Sequence, residues 1–118
     1  MKREVAWYNG YDQLPPIPEK QNTDTIVIFG LENIIKHFLS TNSPRLQFKQ
    51  WLDSWLQWEQ TTRNKTLFLI GADIGKGIVP MEKEERAWRD MTGWCYQDVV
   101  KEAERVDVIW YGLNHRLK

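Results

Sequence analysis

Apolar residues gather along the chain in short runs and in helical stripes. Thr25 to Phe29 (TIVIF) is a β-branched run ending at Gly30, and Thr66 to Ile70 (TLFLI) is a second apolar run ending at Gly71. Both predict strands buried on both faces. Residues 4–8 (EVAWY) predict a short strand before the turn signal Asn9-Gly10. Val106 to Tyr111 (VDVIWY) predicts a further strand, closed by Gly112. Leu31, Ile34, Ile35, Phe38 and Leu39 recur as one helix face. Ser43-Pro44 predicts an N-cap followed by proline at the first helical position. The helix it opens carries Phe48, Trp51, Leu52, Trp55 and Leu56 on one side, and Trp58 is read as lying off that stripe and exposed. A long helix is predicted from about Glu82 to Glu104, with Trp88, Met91, Cys95 and Val99 as its apolar stripe. The segment from Asp12 to Asp24, with three prolines, predicts an ordered or semi-ordered loop.

The order strand–helix–helix–strand–loop–helix–strand predicts an α/β fold, a mainly parallel sheet flanked by helices, in one domain over residues 1–118. Folds of this kind bind ligands at the carboxyl ends of their strands. Composition narrows the partners. Sixteen basic and sixteen acidic side chains cancel, which leaves no electrostatic footprint for nucleic acid or an anionic membrane. The single cysteine excludes an internal disulfide and a Cys-based zinc site. No run reaches the ~18–20 apolar residues of a membrane span, and the N-terminus lacks the apolar segment of a signal peptide. A cytoplasmic protein is expected. Seven tryptophans are many for 118 residues and point to an aromatic core, a stacking surface or an interface.

Two segments carry candidate chemistry. Gly71-Ala72-Asp73-Ile74-Gly75-Lys76-Gly77 follows a strand and precedes a helix, as a phosphate-binding loop does. It is one residue short of G-x-x-x-x-G-K-[ST], and Gly77 stands where the Mg²⁺-binding hydroxyl belongs. It reads either as a ligand loop or as a turn that needs backbone freedom. In the helix that follows, Arg86, Arg89, Asp90, Gly93 and Gln97 share much of one face. Two arginines there can grip phosphate through paired N–H donors. The same pattern also describes a solvated face laced with ion pairs. Gly93 inside the helix costs ~1 kcal/mol relative to Ala, which suggests close packing or ligand approach. His37 and His115 lie far apart and have no nearby ligand pair, so no metal site is expected. Cys95 reads as a small buried hydrophobe.

The second half of the chain resembles a known family in several ordered blocks. ADIGKGIVP (72–80) is similar to N-E-V-G-x-G-I-V-P, RAWRDMTGWCYQ (86–97) to R-x-F-R-D-x-x-G-x-x-N-Q, and AERV (103–106) to A-D-x-V. GLNHRLK (112–118) matches a closing strand, glycine and terminal L-K. The pattern resembles the adenosylcobinamide kinase / adenosylcobinamide-phosphate guanylyltransferase family of cobalamin biosynthesis. TIVIFG is similar to the family's central strand, and Arg3 to Trp7 to an Arg-Pro-x-x-Trp stretch.

The resemblance implies a P-loop-NTPase-like domain that phosphorylates the hydroxyl of adenosylcobinamide and then transfers GMP through a guanylylated histidine. It implies GTP or ATP with Mg²⁺ as cofactors and a cobinamide-type ligand. Nucleotide or substrate contacts then fall on Asp73, Gly75, Gly77, Arg86, Arg89, Asp90 and Gln97, with Pro80 and Gly93 also kept. The departures weigh against activity. The family's first strand, its phosphate-binding loop and the guanylylated histidine have no counterpart here, so the domain is read as truncated. The acid that closes the central strand aligns with Phe29, with Glu32 nearby. Ala72 and Tyr96 replace two further polar positions. The chain is therefore expected to be inactive alone and to hold, at most, a nucleotide without turnover. A non-catalytic binding or assembly module, or a piece of a longer active enzyme, are the alternatives. A homo-oligomer is expected, because loss of a strand leaves TIVIF or its neighbour as an apolar edge. The competing outcome is that EVAWY folds back into the vacant slot.

Overall fold

A computed structural model describes residues 5–15, 24–61, 64–72, 74, 82–110 and 113–118; for residues 108–110 and 113–114 it describes the backbone. Strand β1 (Val5–Asn9) pairs in parallel with β2 (Thr25–Phe29), and β2 pairs in parallel with β3 (Thr66–Ile70). EVAWY does take the place beside TIVIF, which makes β2 the central strand rather than an edge. Between β2 and β3 run helices α1 (Leu31–Phe38) and α2 (Pro44–Gln60). After β3 comes α3 (Lys83–Glu102). The architecture is α/β, a parallel sheet with helices against it. Among the described residues no helix is long and apolar enough to cross a membrane.

The strand alternation decides where the core lies. Ala6, Tyr8, Ile26, Ile28, Leu67 and Leu69 point to one face and pack with the apolar stripes of α1, α2 and α3. Ile26, Ile28, Ile34, Ile35, Phe48, Trp55 and Cys95 are fully buried there. Burial in this core pushes the Cys95 thiol up to about 12, so it is inert as a nucleophile. Two turns tighten the carboxyl ends of β1 and β2. Gly30 has φ 76°, a left-handed conformation that favours glycine, and its carbonyl accepts from the first amides of α1. A Cβ on Gly10 would lie 2.7 Å from both Ile34 Cγ1 and the Phe29 carbonyl, so only glycine fits between the strand end and α1.

Several expectations need correction. Trp58 is buried, stacked edge-on against Trp55 and capped by the Lys65 ammonium. It lies seven residues after Trp51, two helical turns on, so it belongs to the stripe. Strand β3 is covered on one face only: Phe68 and Ile70 are about half exposed. Ser43 occupies the N-cap position of α2 but makes no side-chain capping bond. The last predicted strand does not extend the parallel sheet. It forms β4 (Asp107–Trp110), which pairs antiparallel with β5 (Leu113–Arg116) in a separate two-stranded sheet. Tyr111 and Gly112 lie outside the described residues, as do residues 16–23 of the proline loop.

Two stability outcomes follow from this packing. Trp55→Ala removes a fully buried indole and is expected to cost about 3–5 kcal/mol in urea unfolding. Trp55→Phe is expected to cost much less, because the Trp55 Nε1 makes no hydrogen bond that would be lost. Equal losses for the two would refute this account. The second concerns Arg45 on α2, whose Nε and Nη2 donate to both Asp98 oxygens on α3 at 2.8 and 2.9 Å. The guanidinium holds the Asp98 carboxyl below its ordinary range. A depressed carboxylate pKa stabilises above the unfolded value near ~3.9, and that contribution disappears as pH falls through the lower folded value. Asp98→Asn is therefore expected to lower the melting temperature slightly at neutral pH and not at all in strong acid. A pH-independent difference would refute the ion-pair reading.

Candidate functional site

All three parallel strands deliver loops to one end of the sheet, and a single carboxylate ties those loops together. Glu32, in the first turn of α1, is 4% exposed. Its Oε1 accepts the Ala72 amide at 2.9 Å, just beyond β3. Its backbone carbonyl accepts the Trp88 indole N–H at 2.9 Å, which docks the first half of α3. The Tyr11 hydroxyl, beyond β1, faces the same carboxylate, and this hydrogen bond holds the phenol pKa above its usual value. Tyr96 on α3 donates to the Ala72 carbonyl at 2.7 Å. The end of β1 is fixed by Asn9, whose Oδ1 accepts the Tyr11 amide and whose Nδ2 donates to Asp12. Asn33 Nδ2 then donates to the Gly10 carbonyl at 2.9 Å.

Helix α3 therefore meets the first turn of α1 through Trp88 and the loop end of β3 through Tyr96, and α/β folds take ligands at the carboxyl ends of their strands. Arg86, Asp90, Gly93 and Gln97 lie on its exposed face, and Arg89 is partly buried beside them. Arg89 Nε stands 3.5 Å from Asp90 Oδ1. Asp73, Gly75 and Gly77, with Pro80, lie outside the described residues. A Cβ on Gly93 would meet nothing within 4 Å, so close packing is not the reason for this glycine.

Among the described residues the donor set does not fit a protein-held Mg²⁺. A hard divalent ion wants several oxygen donors in open coordination. At the end of β2 the side chain is Phe29, whose ring packs against Trp7 and Tyr11 with centroids 6.3 and 6.4 Å away. Glu32, three residues further on, is buried and engaged by Ala72. Among the described residues no group of three or more His, Cys, Asp or Glu side chains could hold a metal ion.

Glu32, Tyr11, Trp88 and Tyr96 organise this end of the molecule, and the sequence reading gave none of them that role. A weak signal existed: an acid directly after a buried strand and a turn glycine is well placed to receive amides from neighbouring loops.

The arrangement is that of an α/β protein whose strand-end loops and α3 are tied together at one end of the sheet. A family model for cobinamide kinase / cobinamide phosphate guanyltransferase matches residues 2–117, and the chain belongs to that family. No curated protein matches the chain.

The open space at Gly93 gives a direct test. Gly93→Ala is expected to stabilise the protein by up to about 1 kcal/mol in urea unfolding, because the helix gains propensity and no neighbour is displaced. A destabilised variant would show that the backbone at this position is constrained in a way the packing does not reveal.

Proposed function

We propose that this member of the cobinamide kinase / cobinamide phosphate guanyltransferase family binds the phosphates of a nucleotide without carrying out phosphoryl or guanylyl transfer by itself. The observation that carries the reading is the end of β2. A phenyl ring, Phe29, stands where the family resemblance calls for an Mg²⁺-holding acid, and the neighbouring carboxylate of Glu32 is spent on the Ala72 amide. Phosphoryl transfer depends almost wholly on positioning and on neutralising charge with a phosphate loop, a lysine and a metal ion. At the end of β2 no described carboxylate is left to hold the metal, and turnover is expected to be lost on that account.

Phosphate binding makes a smaller demand. Arg86 and Arg89 supply two planar guanidinium groups on one helix face, and guanidinium donors match phosphate oxygens in pairs. The resemblance adds Asp73, Gly75, Gly77, Asp90 and Gln97 as nucleotide or substrate contacts, with GTP or ATP as the nucleotide. A cobinamide-type ligand is the second molecule such a site would hold. On this reading the protein serves cobalamin biosynthesis as a binding member of the family, in the cytoplasm.

Calorimetric titration with GTP tests the binding half of the proposal. Wild type is expected to bind weakly, and Arg89→Ala at least several-fold more weakly, since a charge-assisted hydrogen bond is worth ~1.5–3 kcal/mol. Equal affinities, or no heat of binding, would leave α3 with a solvated ionic face and overturn it. Incubation with labelled GTP and adenosylcobinamide tests the other half. Adenosylcobinamide phosphate, or a covalent GMP adduct on the protein, would overturn the expected lack of turnover.

A further inference from the structure

Strand β1 is an outer strand in the order β1-β2-β3. The Gly10 amide donates to the Phe29 carbonyl at 2.8 Å, and Asn9 is the register partner of Phe29. In a parallel ladder this turns the main-chain groups of Ala6, Tyr8 and Gly10 towards β2 and those of Val5, Trp7 and Asn9 outward. The Asn9 carbonyl accepts the Asp12 and Gln13 amides at 3.3 and 3.4 Å. The Trp7 amide and carbonyl and the Asn9 amide have no partner among the described residues. The opposite edge differs. The Leu67 amide, which points outward from β3, donates to Glu59 Oε2 at 2.7 Å, so a carboxylate from α2 guards that edge against strand addition. Beside the β1 edge lies a cavity of about 170 Å³ lined by Trp7, Tyr8, Asn9, Asp12, Gln13 and Pro15. Asp12 is the charged residue of this lining. Its Oδ2 accepts Asn9 Nδ2 at 2.9 Å, which leaves Oδ1 without a partner among the described residues. Trp7 is 64% exposed.

We propose that the β1 edge and the cavity beside it bind an extended segment of a partner polypeptide that carries an arginine or lysine side chain. The edge selects the backbone. Its outward N–H and C=O groups recur at the spacing of a strand, and an added strand answers them with the same groups at the same spacing. The cavity selects the side chain. A guanidinium or ammonium group can donate a charge-assisted hydrogen bond to Asp12 Oδ1, and the Trp7 indole is the aromatic surface a cation favours most. An acidic side chain would meet Asp12 as a like charge and is disfavoured. Side chains alternate along a strand, so a basic residue at one position enters the cavity while its neighbours point to the opposite side. Strand β1 has five residues, so the contact is short and the complex weak. Neither Arg86 nor Arg89 lines this cavity, and the proposal is independent of nucleotide binding by α3.

Fluorescence anisotropy of a labelled acetyl-Thr-Val-Arg-Val-Thr-amide peptide, titrated with the full chain, tests it. The peptide is expected to bind at sub-millimolar protein. Glutamate in place of its arginine is expected to weaken binding at least several-fold, and N-methylation of its backbone amides to abolish it. Asp12→Asn keeps an oxygen for Asn9 Nδ2 but loses the charge, and is expected to bind several-fold more weakly. Trp7→Pro removes an outward amide while the ladder to β2, carried by Ala6, Tyr8 and Gly10, stays whole. It is expected to bind more weakly than Trp7→Ala, which removes the indole alone, with the circular dichroism of both variants unchanged. Failure of the arginine peptide to bind would overturn the proposal, as would equal binding of the glutamate peptide. Arginine amide bound as tightly as the whole peptide would reduce the site to a cation pocket and overturn strand addition. A mass that rises with concentration in sedimentation, and no longer does so in Trp7→Pro, would give the edge to a second copy and overturn it as well.

Discussion

The burial of Ile26 and Ile28 under α1 and α2 sets the inside of this molecule. Strand β2 is central, so its parity fixes the parity of both neighbours through the parallel ladders. Ala6 and Tyr8 on one side, and Leu67 and Leu69 on the other, must then face the same helices. A one-residue slip would turn every side chain of a strand over, so the register is strongly held. All three helices answer that one face. The aromatic content follows the same logic: Phe38, Phe48 and Trp51 form one run of tilted and edge-on contacts under the sheet, and Tyr8, Trp55 and Trp58 form another. Large rings fill a three-stranded core that shorter side chains would leave underpacked.

The same register determines what the strand ends can do. Parallel strands bring their loops to a common end, and those loops carry amides and carbonyls that need partners. Here one buried carboxylate supplies the join. Glu32 receives the amide beyond β3 and the phenol beyond β1, while its carbonyl receives Trp88. A group used in this way is structural: withdrawing it would leave the Ala72 amide unpaired and loosen the seat of α3. The arginines of α3 are not part of that network; Arg89 instead stands 3.5 Å from the Asp90 carboxylate.

Much of this was legible from pattern. The runs TIVIF and TLFLI, the stripe of α1 and the long final helix appear with nearly the predicted bounds, because period and length were unambiguous there. The misses have separate causes. TLFLI reads as buried on both sides, since an apolar run does not say whether a second layer exists; Phe68 and Ile70 have none. Trp58 reads as off the stripe, yet it lies two turns after Trp51 and is buried with it. VDVIWY has strand composition, but only pairing reveals that it turns back on residues 113–116. Arg86, Arg89, Asp90 and Gln97 are singled out by spacing along one helix, whereas the role of Glu32 depends on Tyr11, Ala72 and Trp88, which are distant from it in sequence. No local pattern announces such a meeting.

Phe29 stands where the open sheet face meets the strand end. It shares the parity of Trp7 and Val27, so its ring belongs to the open sheet face, and it ends β2, so it also borders the ligand loops. Its contacts with Trp7 and Tyr11 bridge the two regions. A carboxylate at this position would supply a metal ligand at the strand end, but it would also set a charge at the margin of an apolar surface, beside an exposed indole. Desolvating that charge among apolar rings is costly without a partner. An acid here favours chemistry at the strand end, and an aromatic ring favours contact across the sheet. In this chain the ring of Phe29 carries the apolar sheet face up to the strand end.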